Sequence, residues 1–308
     1  MSNIDISSPV PRALFLGMAG NFSPPSLLAV LESGVEVCAV VLPARDHHAG
    51  QPALRLMEKP AQVRPTLPVL QSSLHNSIVT IAWKRGIPVW EVASMSAPET
   101  INLFSRYQPD MLCVACFSLY IPRAILAIPR LSCLNVHPSL LPVNRGPDPL
   151  FWTFHEGHRE TGVTIHMMDE SLDSGPIVAQ EKITVPNAIT YAQLEAECAA
   201  LGGKLLSQSL WQLYNGIATL TPQDESKSSY LPMPAEKDYV VVATEWEARR
   251  VYNFIRGVAT RGVSVTLITG EKSIQVMNAI SYSHNEAESG ANDEFIKVQC
   301  IDGWVLVK

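Results

Sequence analysis

Apolar runs alternate with amphipathic stretches over residues 1–220 of the chain. The apolar runs predict strands, and the stretches with an apolar residue at every third or fourth position predict helices. Strands are predicted at residues 12–17, 35–42, 88–92, 111–117, 132–137, 163–167 and from 176 onward. Helices are predicted at residues 23–33, 76–85, 97–107, 121–128 and 192–214. This alternation is typical of an α/β domain built from βαβ units around an open sheet.

The composition changes at residues 221–235, a polar run that contains prolines and predicts an interdomain linker. The sequence therefore predicts an α/β domain at residues 1–220, the linker, and a smaller domain at residues 236–308.

The segment after this linker has the pattern of a small, mostly β domain. Thr244 and Glu247 are spaced as a capping box at the start of a helix, which Gly257 is predicted to end. Apolar runs at residues 263–269, 273–281 and 294–307 predict strands, and Gly270-Glu271 and Asp302-Gly303 predict two hairpins.

The composition describes a globular protein, with 47% hydrophobic and 17% charged residues and a formal net charge of −6. No run of about 18 apolar residues predicts a membrane span, and the amino terminus lacks the basic region of a signal peptide. Cys113 and Cys116 form a C-x-x-C in what reads as a buried strand, and no second pair completes a zinc site. We expect a reducing, cytoplasmic setting and no metal.

The first candidate site follows the strand at residues 132–137. Asn135 and His137 are two positions apart, so their side chains face the same side of the strand at its carboxyl end. Open α/β sheets bind their ligands at that edge. The short motif by itself leaves a second interpretation open, in which Asn135 and His137 only end a strand and cap a turn.

The second candidate site is an acidic loop between the strand at residues 163–167 and the one that starts at 176. It holds Asp169, Glu170 and Asp173, although Asp173-Ser-Gly175 is also typical of a plain turn. His166 lies on the strand before this loop, where we expect a packed or supporting residue rather than a participant in chemistry.

Together the two segments resemble the folate-dependent formyltransferase family. The pattern N-x-H-x-S-L-L-P-x-x-R-G of this family occurs as Asn135, His137, Ser139-Leu-Leu-Pro142 and Arg145-Gly146, and its D-x-G occurs as Asp173-Ser-Gly175. The resemblance implies a Rossmann-like formyltransferase sheet domain followed by a β-rich, OB-like C-terminal domain, as in methionyl-tRNA formyltransferases.

The resemblance also implies the reaction, in which a primary amine attacks the formyl carbon of 10-formyltetrahydrofolate. Asn135 and protonated His137 would donate hydrogen bonds to the developing oxyanion, each worth about 3 kcal/mol. His137 would also help to move the proton from the amine to the departing folate nitrogen. Ionised Asp173 would favour the charged imidazole and orient it or a water molecule.

The resemblance places the folate donor against three short segments. Its implied contacts are Phe117, Ser118, Leu119, Tyr120, Ile121, Ser139, Leu140, Leu141, Pro142, Met168 and Asp169.

The acceptor is less well specified. Residues 236–308 hold eight Lys or Arg and ten Asp or Glu, which is not the basic surface that phosphate contacts need. The loop at residues 45–74 is only mildly basic, and Arg145-Gly-Pro-Asp-Pro149 departs from the R-G-A-A-P usual in the tRNA enzymes. A small amine is therefore expected ahead of initiator methionyl-tRNA. Two alternatives remain, a 10-formyltetrahydrofolate hydrolase and a non-enzymatic folate-binding protein.

Overall fold

The computed structural model describes residues 10–44, 52–59, 77–284 and 295–308. The chain divides into two compact units, each made of several segments. The first comprises Met1–Pro142, Val163–Glu181 and Cys198–Ser226, and the second Val143–Gly162, Lys182–Glu197 and Lys227–Lys308. Most of the loop at residues 45–74, including Arg45 and Arg64, lies outside the described residues.

Strands and helices alternate as the apolar pattern predicts. The strands are β1 (Arg12–Gly17), β2 (Glu36–Pro43), β3 (Leu54–Leu56), β4 (Val89–Val92), β5 (Met111–Ala115), β6 (Ser132–His137), β7 (Glu160–Met167), β8 (Ile177–Thr184), β9 (Val240–Val242), β10 (Val265–Thr269), β11 (Lys272–Val276), β12 (Ala279–Ser283), β13 (Ile296–Gln299) and β14 (Trp304–Val307). The helices are α1 (Ser23–Glu32), α2 (Ile78–Lys84), α3 (Pro98–Tyr107), α4 (Arg123–Leu126), α5 (Pro149–His155), α6 (Tyr191–Tyr214) and α7 (Ala248–Ala259).

An eight-stranded sheet has the order β3-β4-β2-β1-β5-β6-β7-β8. In the order β4-β2-β1-β5-β6 the strands run parallel, whereas β3 is antiparallel to β4 and β7 is antiparallel to β6. The chain order reverses between β1 and β5, which makes this the switch point of a doubly wound sheet. The predicted α/β class is confirmed, and the carboxyl end of β6 lies one strand from the switch point.

The central strands are buried because helices cover the sheet, so they are apolar at successive positions rather than at alternate ones. Leu14, Leu16, Val41, Phe104 and Leu112 belong to one buried cluster of this sheet and its helices. This cluster gives the edge that carries Asn135 and His137 a rigid support.

The second unit contains two three-stranded sheets, ordered β11-β10-β9 and β12-β14-β13. β10 and β11 form an antiparallel hairpin across Gly270-Glu271, and β13 and β14 form another across Asp302-Gly303. The predicted β-rich C-terminal segment and both hairpins are confirmed.

The predicted ends of α7 are wrong, for two physical reasons. Glu247 makes no side-chain capping bond, and the first turn is satisfied instead by Asp302, whose Oδ1 accepts from the Ala248 N–H at 2.7 Å. Gly257 lies inside the helix rather than at its end. A Cβ at position 257 would overlap the Phe154 ring, so the glycine permits close packing.

Two further strand boundaries differ from prediction. The strand expected at residues 111–117 ends at Ala115, because Cys116 adopts a left-handed φ of 60° that breaks the extended chain. The single strand expected over residues 273–281 is two strands, β11 and β12. Among the described residues, no helix is both long and apolar enough to cross a membrane.

Residues 221–235 make specific hydrogen bonds in each unit. Thr221 and Ile177 exchange two backbone hydrogen bonds in the first unit, of 2.8 and 2.9 Å. In the second unit Tyr230 lies in a β-bridge with Arg145. The domain boundaries deduced from the sequence stay a prediction.

Candidate active site

Two neighbouring antiparallel strands supply the floor of the site. Asn135 and His137 on β6 lie directly opposite His166 and Thr164 on β7. Directly opposed residues point to the same side of a sheet, so these four polar side chains share one face. The loop that follows β7 carries Asp173 back towards them.

The structure brings the three predicted catalytic residues together. His137 Nδ1 lies 3.7 Å from Asp173 Oδ2, an ion-pair distance longer than a hydrogen bond. Asn135 Nδ2 donates to Asp173 Oδ1 at 3.4 Å. His137 is 4% and Asp173 8% exposed, so water screens their interaction weakly.

His166 contributes more than the sequence indicated, because it contacts both Asn135 and Asp173. Its Nδ1 lies 2.9 Å from the Met167 carbonyl oxygen, which can only accept, so Nδ1 carries the proton. In the neutral ring Nε2 is then an acceptor and receives a hydrogen bond from Asn135 Nδ2 at 3.1 Å. This bond fixes which way the Asn135 amide points, with its N–H groups towards His166 and Asp173.

The loop after His137 is held by the buried hydroxyl of Thr164. This hydroxyl donates to the Ser139 carbonyl at 2.7 Å and accepts from the Leu141 N–H at 3.2 Å. Gln180 on β8 donates to the same hydroxyl at 2.8 Å and to the Leu141 carbonyl at 3.0 Å. The conformation of the S-L-L-P segment is therefore set by the neighbouring strands.

The D-x-G motif has a steric explanation. A Cβ at Gly175 would overlap the Met167 carbonyl oxygen, so only glycine lets the loop return this close to β7. Asp173 has a left-handed φ of 53°, which aspartate tolerates better than most residues. Gln223 donates to the carbonyls of Asp173 and Gly175, at 2.8 Å each. No feature of the sequence around Gln223 indicated this contact.

The residues predicted to contact the folate fall into three groups. Phe117 and Leu119 after β5 and Met168 after β7 pack half-buried against the apolar cluster, and Ile121 belongs to it. Ser118 and Tyr120 are exposed.

The second group is the S-L-L-P segment, and the third is Asp169. Ser139 and Leu141 are buried, whereas Leu140 and Pro142 are half-buried. Asp169 is exposed and accepts hydrogen bonds from Ser171 and Ser174 of its own loop. All eleven contacts with the folate stay predictions.

The R-G part of the first motif lies in the second unit. A Cβ at Gly146, whose φ is 124°, would overlap the Leu231 carbonyl oxygen. Asp148 caps α5 and accepts hydrogen bonds from Tyr191 at 2.9 Å and Arg261 at 2.6 Å. Burial, together with the nearby Asp148 carboxylate, raises the pKa of Tyr191. Asp148 of the unusual Arg145-Gly-Pro-Asp-Pro149 run therefore organises the second unit.

Within the described residues, no group of three His, Cys, Asp or Glu side chains is placed to hold a metal ion.

The family model described as "Formyl transferase" matches residues 15–210, which include the N-x-H and D-x-G motifs. The chain belongs to the formyl transferase family. A methionyl-tRNA formyltransferase from Syntrophus aciditrophicus is 31% identical over 96% of this chain and 89% of its own length. One from Ruminiclostridium cellulolyticum is 28% identical over 96% of this chain and 90% of its own length.

Solved structures of other proteins share the fold of this formyl transferase. An N-formyltransferase from Helicobacter canadensis, crystallised with folinic acid and dTDP-3-aminofucose, has a TM-score of 0.64 at 15% identity and covers 97% of this chain and 98% of its own. HypX from Aquifex aeolicus has a TM-score of 0.59 at 19% identity. The match to HypX covers 97% of this chain but only 45% of HypX.

The resemblance deduced from the motifs is thus confirmed. So is the predicted class of reaction, the transfer of a formyl group from a formyl-folate to an amine. The roles of individual residues in this formyl transferase stay predictions.

Proposed function

We propose that this chain transfers the formyl group of 10-formyltetrahydrofolate to a small primary amine, and that Asn135, His137 and Asp173 carry the chemistry. The observation behind the proposal is their convergence at the carboxyl end of β6. The Asp173 carboxylate lies 3.4 Å from the amide nitrogen of Asn135 and 3.7 Å from the imidazole of His137.

The reaction needs charge stabilisation and one proton relay. The amine nitrogen forms a bond to the formyl carbon, and the carbonyl electrons move onto the formyl oxygen. The amine then loses a proton, the bond from carbon to folate nitrogen breaks, and that nitrogen takes up a proton. The products are a formamide and tetrahydrofolate, so no oxidant or reductant is consumed.

His137 is suited to the proton relay because an imidazole can both accept and donate a proton, and because its ring faces the Asp173 carboxylate. Ionised Asp173 stabilises the imidazolium that forms when His137 accepts a proton. Protonated His137 can then donate to the oxyanion or return the proton to the departing nitrogen.

Asn135 is suited to the oxyanion because its amide is already oriented. Both N–H groups of Asn135 point to acceptors, His166 Nε2 at 3.1 Å and Asp173 Oδ1 at 3.4 Å. The contact with Asp173 is the longer and weaker one. A developing oxyanion would take over this N–H, and the bond to His166 would keep the amide in place.

The apolar surface after β5 suits the folate donor. Val114, near the end of β5, pairs with Asn135, so Phe117 and Leu119 follow closely on the strand beside the catalytic residues. Half-buried aromatic and aliphatic side chains are typical of the walls of small-molecule sites. We therefore infer that Phe117, Leu119 and Met168 contact the planar ring system of the donor.

The four arginines of residues 236–308 favour a small acceptor over a nucleic acid. Arg250 stacks on the Trp246 ring at 3.6 Å and donates to the His155 carbonyl. The other three donate to protein partners too, Arg249 to Asn187, Arg256 to Asn278 and Arg261 to Asp148. Half of the eight basic residues in positions 236–308 are thus engaged within the protein.

Initiator methionyl-tRNA is the second candidate acceptor. The methionyl-tRNA formyltransferases from Syntrophus aciditrophicus and Ruminiclostridium cellulolyticum align over nearly the whole chain, including the C-terminal segment. This favours tRNA, whereas the charge distribution favours the small amine.

The six cysteines support a reducing, cytoplasmic location. None of them forms a disulfide, and four are buried. This arrangement is typical of proteins in reducing compartments.

The test follows the label of formyl-labelled 10-formyltetrahydrofolate after incubation with the purified chain. Parallel reactions contain an amino-sugar nucleotide, an amino acid, a hydroxylamine, methionyl initiator tRNA or no acceptor. Label in a small amine supports the proposal, and label in the tRNA supports the second candidate. Formate released without acceptor indicates a hydrolase, and an intact donor that binds the chain indicates a folate-binding protein.

A further inference from the structure

Gln223 lies in the polar segment that follows α6, fifty residues from Asp173 in the chain. Its Nε2 donates one hydrogen bond to the Asp173 carbonyl and one to the Gly175 carbonyl, both at 2.8 Å. Asp173 and Gly175 flank Ser174 in the D-x-G motif. The Gln223 amide therefore joins this loop to a segment that is distant in the chain.

The loop needs such a contact, because the backbone at Asp173 is strained. A left-handed φ is unfavourable for a residue other than glycine and persists when neighbouring contacts enforce it. The two backbone hydrogen bonds between Thr221 and Ile177 fix the position of the chain just before Gln223. Gly175 lies directly against β7, so the loop is held on two sides.

The position of this backbone decides where the Asp173 carboxylate lies. Its Oδ1 lies 3.4 Å from Asn135 Nδ2 and 3.6 Å from His166 Nε2, and its Oδ2 lies 3.7 Å from His137 Nδ1. These separations leave little slack, because a shift of about 1 Å ends the hydrogen bond to Asn135. Misplacements of that size cost enzymes about 100-fold in rate.

We propose that Gln223 is a positioning residue for the reaction, which acts by holding the Asp173 carboxylate against Asn135 and His137. The inference rests on the proposed function, since it assigns Asp173 a part in formyl transfer. The Gln223 amide acts on the backbone of the loop, through the carbonyls of Asp173 and Gly175.

The decisive variant is Gln223→Met, which keeps the length and volume of the side chain and removes both donors. Gln208→Met, at an exposed position on α6, is the matched control. Formyl transfer is measured for wild type, Q223M, Q208M, D173N and the double variant D173N/Q223M. Urea unfolding establishes that each is folded at the assay temperature, and Gln223→Asn replaces Q223M if Q223M does not fold.

Q223M is expected to lower kcat by about 10- to 100-fold while KM for the donor stays within about threefold. The reason is that the substitution displaces the Asp173 carboxylate and leaves the contacts with the donor in place. In the D173N background the same change is expected to lower kcat by less than about twofold, since the carboxylate is already gone. Q208M should match wild type. A Q223M enzyme within about twofold of wild type overturns the proposal, as does an equal loss in both backgrounds.

A second measurement separates this inference from the proposed function. The ring resonances of His137 and His166 are recorded by NMR at one pH in wild type, Q223M and Q208M. We expect both rings to shift in Q223M alone, and unchanged spectra contradict the positioning role. If the wild type transfers no formyl group to any amine, the proposed function fails while the spectra still decide whether Gln223 places Asp173.

Discussion

Replacing Thr164 by valine tests whether the strand beneath the site holds the S-L-L-P segment. Valine has nearly the same shape as threonine and lacks the hydroxyl. The hydroxyl contacts three groups, the Ser139 carbonyl, the Leu141 N–H and the side-chain amide of Gln180. Thr164 is fully buried, so water cannot take its place without rearrangement.

The expected loss of stability depends on which of the three groups can form a different hydrogen bond once the hydroxyl is removed. Gln180 is exposed and keeps its bond to the Leu141 carbonyl, so its contribution is small. Ser139 and Leu141 are buried. The Ser139 carbonyl loses the bond that it accepts from this hydroxyl, and the Leu141 N–H loses the bond that it donates to it. A buried polar group left unsatisfied costs about 1–3 kcal/mol, so we expect T164V to be destabilised by about 3 kcal/mol.

Urea unfolding at 25 °C measures this loss, with T164S and T153V as controls. T164S keeps the hydroxyl and loses only a methyl group, at about 1 kcal/mol. The Thr153 hydroxyl is also buried, but its contact with the Thr161 hydroxyl is long, at 3.4 Å, and it donates at 2.9 Å to the Pro149 carbonyl, four positions earlier within α5. Its removal should cost less than about 1 kcal/mol, since this kind of bond adds little to a helix. A T164V protein as stable as T153V refutes the reasoning.

Three further predictions concern other parts of the chain. Gly257→Ala should lower the free energy of unfolding by about 1–3 kcal/mol despite the better helix propensity of alanine, because the new methyl group meets Phe154; a stabilised variant in urea unfolding contradicts this. Asp302→Ala should cost about 1 kcal/mol through loss of the bond to Ala248 at the start of α7, and Asp302→Asn should recover most of it, as thermal unfolding can show. Iodoacetamide at pH 8 should modify exposed Cys116 well before Cys133, whose pKa burial raises to about 12, and equal rates in peptide mass spectrometry would count against the assigned burial.

The parts of the site that follow from periodicity could be predicted. Asn135 and His137 face one side because strands have a period of two, and their place at the carboxyl edge follows from the βαβ pattern. The apolar runs located β5 and β6 within two residues at each end. These features depend on neighbouring residues, which a sequence displays directly.

The parts that depend on distant contacts could not be predicted. Gln223 lies in a polar run with no pattern that ties it to Asp173. Asp302 supplies the bond at the start of α7 that the local capping rule assigned elsewhere. Gly257 shows the same limit, because glycine both ends helices and permits close packing, and only the position of Phe154 decides between the two.

The most direct test of the central claim is the rate of formyl transfer in Asp173→Asn, measured in single turnover with the acceptor that the wild type uses. Asparagine keeps the size of the side chain and removes the charge that stabilises imidazolium at His137. We expect a loss of at least about 100-fold, in the range of general acid–base contributions. Glu170→Gln is the matched control, because it removes a more exposed charge from the same loop and should leave the rate unchanged. An Asp173→Asn enzyme within about threefold of wild type would contradict the account, since Asp173 would then have no part in the chemistry.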